Sequence, residues 1–161
     1  MKLEAWVTRK TRDLVLDSAE ELLRVTAPEV GAVRRAEVWA FEVDGGAAES
    51  DVRRVLDETS LIVNPNVHRY SLNGREPVIA RGSRVTVRVT ERVDPKGTAV
   101  LRSIRDRLSL RSVKRVSRSV VWSLDLPEAS ADEAARVGRE VASILGNRHS
   151  QDVETRVAEA S

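Results

Sequence analysis

Two six-residue stretches decide the fold: VWAFEV at Val38–Val43 and VWSLDL at Val121–Leu126. Each places tryptophan second and an acid fifth, and a basic residue, Arg35 or Arg118, stands the same interval ahead. The two stretches are read as the matching second strands of two copies and are the best anchor of the pattern. Working outward, LEAWVT (Leu3–Thr8) recurs upstream of the second stretch as VTVRVT (Val85–Thr90), with apolar residues on alternate positions in both, the period of a half-buried strand. Downstream, Asn64 in LIVNPNVHRYSL and Asn147 in SILGNRHSQDVETRV lie at the same interval from their tryptophans. Three anchors in the same order read as an internal duplication, and such a repeat governs the whole fold.

Between the anchors the period turns helical. Leu16, Ala19, Leu22 and Leu23 in the first copy, and Val100, Leu101, Ile104 and Leu108 in the second, recur at three- and four-residue spacing, which predicts an apolar stripe facing a sheet. Asp17 or Ser18 is the expected cap of the first helix. Asp94 followed by Pro95 caps its counterpart, with proline at the first helical position. Second helices are expected from about Glu49 to Val63, burying Val52, Val55, Leu56 and Ile62, and from about Ser130 to Leu145, burying Val137, Val141, Ile144 and Leu145. Ser130 with Glu133 makes a capping box. Asn64-Pro65 and Gly146-Asn147 are read as helix stops, and closing strands follow near Val67–Leu72 and Val153–Val157. The long segments Val33–Val43 and Val113–Leu126 are expected to bend or to serve as two pairing segments. The fold class is therefore α+β: two β-α-β-α-β units, residues 1–73 and 84–161, joined by a turn-rich linker at 74–83 that holds two glycines and a proline. A unit this small has a modest core, so the two are expected to pack as a pseudo-dimer with antiparallel sheets.

Composition bounds the function. Of the 161 residues, 41% are hydrophobic and 32% charged, a balance that can bury a core. No apolar run nears the roughly 18 residues of a membrane span, and the opening MKLEAWVTRK lacks the apolar stretch of a secretory signal, so a cytoplasmic location is expected. No cysteine and only His68 and His149 argue against thiolate chemistry, a zinc site or another metal centre. No phosphate-binding glycine loop, nucleophile elbow or HExxH pattern is present, so no catalytic residue and no cofactor are assigned. The formal charge is only +2, but Arg102, Arg105, Arg107, Arg111, Lys114, Arg115 and Arg118 crowd one segment against the single acid Asp106, leaving the rest of the chain net acidic.

The order of elements, with Asp94-Pro95-Lys96-Gly97 opening a first helix and Asn64-Pro65 closing a second, resembles the PurS-type subunit of phosphoribosylformylglycinamidine synthase, here with two copies in tandem. Each copy keeps one of these signatures, and Ala36-Glu37 and Ser119-Val120 stand where the family has a Gly-Lys pair. The resemblance implies a non-catalytic part of a glutamine-dependent ligase. Such a part bridges a glutaminase and an ATP-dependent synthetase so that ammonia passes between them in purine biosynthesis. It also implies that one chain does the work of a dimer of subunits; a homodimer of the tandem chain is compatible with it.

Arg102, Arg105, Arg111 and Arg115, with Asp94 and Lys96, are the candidate partner-binding residues: the basic run suits an acidic surface or a phosphate, although charge runs are most often solvated faces. Trp39 and Trp122 are read as structural, because a repeated strand tryptophan buries a large area. The two histidines are read as solvated residues after helix ends. Two other classes compete. A nucleic-acid-binding module would use the same arginines but wants aromatic platforms, and aromatic residues are 3% of the chain. A tandem regulatory domain could hold a small ligand through backbone groups that leave no motif.

Overall fold

The computed structural model describes every residue from Met1 to Ser161. The chain runs β1 (Lys2–Arg9), α1 (Leu14–Thr26), β2 (Val33–Val43), α2 (Ala48–Glu58), β3 (His68–Leu72), β4 (Ser83–Glu91), α3 (Pro95–Leu108), β5 (Val113–Leu126), α4 (Ala131–Leu145) and β6 (Gln151–Glu159), so the order β-α-β-α-β occurs twice in succession. The class is α+β, with six antiparallel strands in the order β3-β1-β2-β5-β4-β6. Two compact units result. The first holds Met1–Arg12, Glu37–Arg75 and Val93–Ser119, and the second holds Asp13–Ala36, Glu76–Arg92 and Val120–Ser161. The long strands β2 and β5 contribute one segment to each unit.

In the first unit β1 lies between β3 and β2, with Ala5 opposite both Leu72 and Trp39. Leu3, Ala5 and Val7 share a face with Trp39, Phe41 and Val43, and the smallest of them leaves room for the indole. Onto this face pack Val52, Val55 and Leu56 of α2 and Val100 and Ile104 of α3. In the second unit Val85, Val87 and Val89 of β4 join Trp122, Leu124 and Leu126 of β5. Ala134, Val137 and Val141 of α4 cover them together with Leu23 of α1, and Leu16 and Ala19 pack at the margin. Each core therefore takes its second helix from across the connector: α3 completes the core built on β1, and α1 completes the one built on β4. Burying side chains such as Ile104 and Leu23 contributes about 1.5–3 kcal/mol each.

Several local expectations need correction. Asp13, not Asp17 or Ser18, caps α1, because its Oδ1 accepts from the Val15 and Leu16 N–H groups at 3.1 and 3.2 Å. Leu22 is 48% exposed and turns away from the core that Leu23 enters. Helix α2 stops at Glu58 rather than Val63, since Thr59 takes an extended backbone and its hydroxyl donates back to the Val55 carbonyl at 2.6 Å. Ile62 and Val63 reach the core from the loop instead. Gly146 closes α4 with φ −134°, in extended backbone, so no left-handed closure is used.

Asn64 and Asn147 are turn residues built alike. The Asn64 carbonyl accepts from the Val67 and His68 N–H groups at 3.0 and 2.8 Å, and that of Asn147 from Ser150 and Gln151 at 3.2 and 2.8 Å. Each Oδ1 accepts from the N–H two residues on, Asn66 at 3.1 Å and His149 at 3.0 Å. Each backbone N–H donates to the side chain four residues on, His68 Nδ1 at 3.1 Å and Gln151 Oε1 at 2.7 Å. These bonds aim the chain into β3 and β6.

A charged cluster ties the second unit together. Arg84, 4% exposed, donates from Nε to Asp125 Oδ1 at 2.7 Å, pairs with Glu76 at 3.8 Å and donates to the Pro77 carbonyl. Arg34 Nη2 reaches both Asp125 oxygens at 3.0 and 3.1 Å. Burial pushes the Asp125 carboxyl up, but hydrogen bonds and charge from Arg84 and Arg34 outweigh it and hold the group below its ordinary range. A carboxylate depressed on folding contributes stability that is complete above the unfolded carboxylate pKa, about 4, and fades as pH falls through the lower folded value. Asp125→Asn should therefore cost about 2 kcal/mol near neutral pH, and its deficit relative to wild type should shrink as the medium is acidified through that window. Denaturant titrations at a series of pH values check both; a constant deficit would show that ionisation of Asp125 is not what stabilises the cluster.

Candidate functional site

The candidate residues all fall in the first unit, along α3 and the start of β5. Arg102 and Arg105, three apart, share the outer face of α3 opposite the buried Val100 and Ile104. Arg105 and Arg107 occupy the last turn, where the negative end of the helix dipole favours cations. Arg111 lies in the turn that follows, and Arg115 points outward from β5. Arg102, Arg105, Arg107 and Arg111 are exposed and make no ion pair. Arg115 stands 3.9 Å from Glu42 and Lys114 3.7 Å from Asp44, both long, exposed pairs worth little. The segment therefore offers a row of solvated guanidinium groups on a rigid helix, a surface able to dock carboxylates or phosphate through paired N–H donors.

Asp94 and Lys96, grouped with these residues on sequence, part company. Lys96 is exposed in the first turn of α3. Asp94 is turned inward: its Oδ1 accepts from the Gly97 N–H at 2.8 Å, and its Oδ2 accepts from the Arg118 N–H on β5 at 2.9 Å. The Arg118 guanidinium then reaches Glu37 of β2 at 2.8 and 3.2 Å. Gly97 is required because a Cβ there would stand 2.5 Å from the Val116 carbonyl oxygen and 2.5 Å from Asp94 Oδ2. The Asp-Pro-Lys-Gly stretch is thus a joint between helix and sheet. The second unit has its own form of it. Asp13 caps α1, its Oδ2 accepts from Arg35 Nη1 at 3.2 Å, and the Arg35 guanidinium lies 5.6 Å from the centre of the Trp122 ring.

Sequence reasoning missed two features. The cluster of Arg34, Glu76, Arg84 and Asp125 is assembled from distant positions with no shared spacing, and Arg84 shares its side of β4 with Thr86 and Arg88, so nothing in the local pattern set it apart. The outer face of α1 exposes four apolar side chains, Leu14, Leu22 and Val25 at 66%, 48% and 82% with Val15 beside them, interleaved with the exposed Ser18 and Glu21. Its counterpart α3 carries arginines in that role. The indoles of Trp39 and Trp122 lie in the first and second cores and do not face solvent. His68 is partly buried, and its Nδ1 is an acceptor within the Asn64 turn. No group of three or more metal-ligating side chains is gathered anywhere, and no helix is long and apolar enough to cross a membrane. A cavity of about 220 Å³ between the end of α1 and the start of β2, lined by Glu20, Leu23, Arg24, Val30 and Val33, brings no paired acid, base or nucleophile together.

If Asp94 and Gly97 are structural and Lys96 is free, alanine should separate them. Gly97→Ala is expected to cost about 2 kcal/mol and Asp94→Ala about 1–2 kcal/mol, while Lys96→Ala stays within about 0.5 kcal/mol, all measured by denaturant unfolding. Equal effects at the three positions would contradict the assignment. Compared with known proteins, the sequence matches no family model and no curated protein.

Proposed function

We propose that the chain is a non-catalytic subunit of phosphoribosylformylglycinamidine synthase, made of two PurS-like units packed as a pseudo-dimer. In this reading it bridges the glutaminase and the ATP-dependent synthetase so that ammonia made at one reaches the other, in the cytoplasm, during purine biosynthesis. The observation that carries the reading is the twice-repeated β-α-β-α-β order, with equivalent joints at Asp13 and Asp94 and equivalent turns at Asn64 and Asn147. The resemblance rests on the residues around Asp94 and Asn64. A bridging part also needs different surfaces for different partners. The outer faces of the two corresponding helices meet that need, arginine-rich on α3 and with exposed apolar side chains on α1. Assembly fits residues such as Asp13, Asp94, Asn64 and Asn147, which cap helices and pin turns.

Reconstitution of the glutaminase and synthetase from the same source, with and without this chain, tests the proposal. The chain alone should have neither glutaminase nor ATPase activity. Its addition should raise glutamine-dependent synthesis far more than ammonia-dependent synthesis. Reversing Arg102, Arg105, Arg111 and Arg115 to glutamate should abolish that gain without unfolding the protein, because like charges brought together at a docking face cost several kcal/mol while exposed substitutions elsewhere cost little. If the wild-type chain neither binds the two enzymes nor alters the glutamine-dependent rate, the assembly reading fails and a small-ligand regulatory role takes its place.

A further inference from the structure

Strand β6 is an outer strand of the sheet, nine residues long, and pairs with β4 in unbroken register from Ser83 opposite Glu159 to Glu91 opposite Gln151. The flanking bonds fix which way its backbone groups point. Ala160 N–H donates to the Gly82 carbonyl, and Arg92 N–H donates to the Ser150 carbonyl. Even-numbered residues of this segment therefore turn their backbone groups toward β4, and Gln151, Val153, Thr155, Val157 and Glu159 turn theirs to the open edge. No proline or bulge interrupts the edge, so its outward backbone groups are free to pair, and the charges along it decide which partner strand they admit. Side chains alternate in the other sense. Val153 and Thr155 lie against Gly146 and Gly138 of the α4 segment, whereas Asp152, Glu154 and Arg156 are exposed on the opposite face.

The centre of the strand reads Val153-Glu154-Thr155-Arg156-Val157, which is self-complementary when reversed. We propose that a second copy of this chain adds to β6 as an antiparallel strand, about a two-fold axis at Thr155. In this register Val153 faces Val157 of the partner, Thr155 faces Thr155, and Glu154 faces Arg156 twice over, while all nine residues overlap. The outward residues oppose one another, so every free N–H meets a free carbonyl. The Glu154–Arg156 pairs take the closer, non-hydrogen-bonded positions, where side chains interact best. A one-residue slip would set outward groups against inward ones. A two-residue slip in either direction would set Glu154 against Glu154 or Arg156 against Arg156. Charge therefore selects one register, and the contact is isologous and closes on itself as a dimer. Such an edge contact is small, in the class below about 1,200 Å², and is expected to form at about micromolar concentrations or above. The inference does not rest on the proposed partners of the chain.

Sedimentation equilibrium from about 1 μM to about 1 mM tests it. The wild-type chain should pass from monomer to dimer over that range. Arg156→Glu and Glu154→Arg, each of which places like charges together at both ends of the contact, should weaken self-association at least about tenfold. Glu154→Arg also faces Arg88 within its own chain, whereas Arg156→Glu faces Thr86, so the latter separates dimer loss from a folding defect. An equimolar mixture of the two variants restores opposite charges at both positions and should form the heterodimer, and the double variant should self-associate as wild type does. A wild-type monomer throughout, single variants that dimerise undiminished, or a mixture that stays monomeric would each overturn the proposal.

Discussion

Neither core of this protein is complete without a helix from the other side of the connector. Val100 and Ile104 of α3 close the core built on β1 and β2, and Leu23 of α1 closes the one built on β4 and β5. Removing α3 would strip Val100 and Ile104 from one core, and removing α1 would strip Leu23 from the other, at about 1.5–3 kcal/mol for each side chain against a total stability for a domain of about 5–15 kcal/mol. The exchange makes the folding of one half of the chain conditional on the other. It also explains why β2 and β5 are so long, since each supplies a segment to both units.

The joints serve that exchange. A helix that crosses to another core must leave its own strand at a fixed angle, and an N-cap carboxylate that also binds the sheet sets that angle. Asp94 holds the start of α3 to the backbone of Arg118, and Asp13 holds the start of α1 to the guanidinium of Arg35. The connector is held in the same spirit. Arg84, buried within β4, grips Glu76 and the Pro77 carbonyl on one side and Asp125 on the other. With the interior spent on these structural tasks, the arginine face of α3 and the edge of β6 are left exposed.

Much of this was legible in the sequence because it depends on period and on local capping. The alternation in Leu3–Thr8 and Val85–Thr90, the proline after Asp94 and the Ser130–Glu133 pair report their own structure within a few residues. Placement of the helices was not legible, because an apolar stripe states that a helix is covered and does not state by which sheet. Leu22 shows the same limit: it fits the three-and-four spacing of Leu16, Ala19 and Leu23, yet points to solvent with the other exposed apolar side chains of α1. The candidate site divided in a similar way. The exposure of Arg102, Arg105 and Arg111 follows from their position opposite Val100 and Ile104, whereas the inward turn of Asp94 depends on the Arg118 N–H, which local sequence does not announce.

The helix exchange is tested most directly by cutting the chain within residues 74–83 and producing the two pieces separately and together. Each piece alone should be largely unfolded or prone to associate, with little protection of its amides from hydrogen exchange, and the two together should recover a cooperative unfolding transition close to that of the intact chain. An N-terminal piece that is a well-folded monomer of undiminished stability would contradict the account.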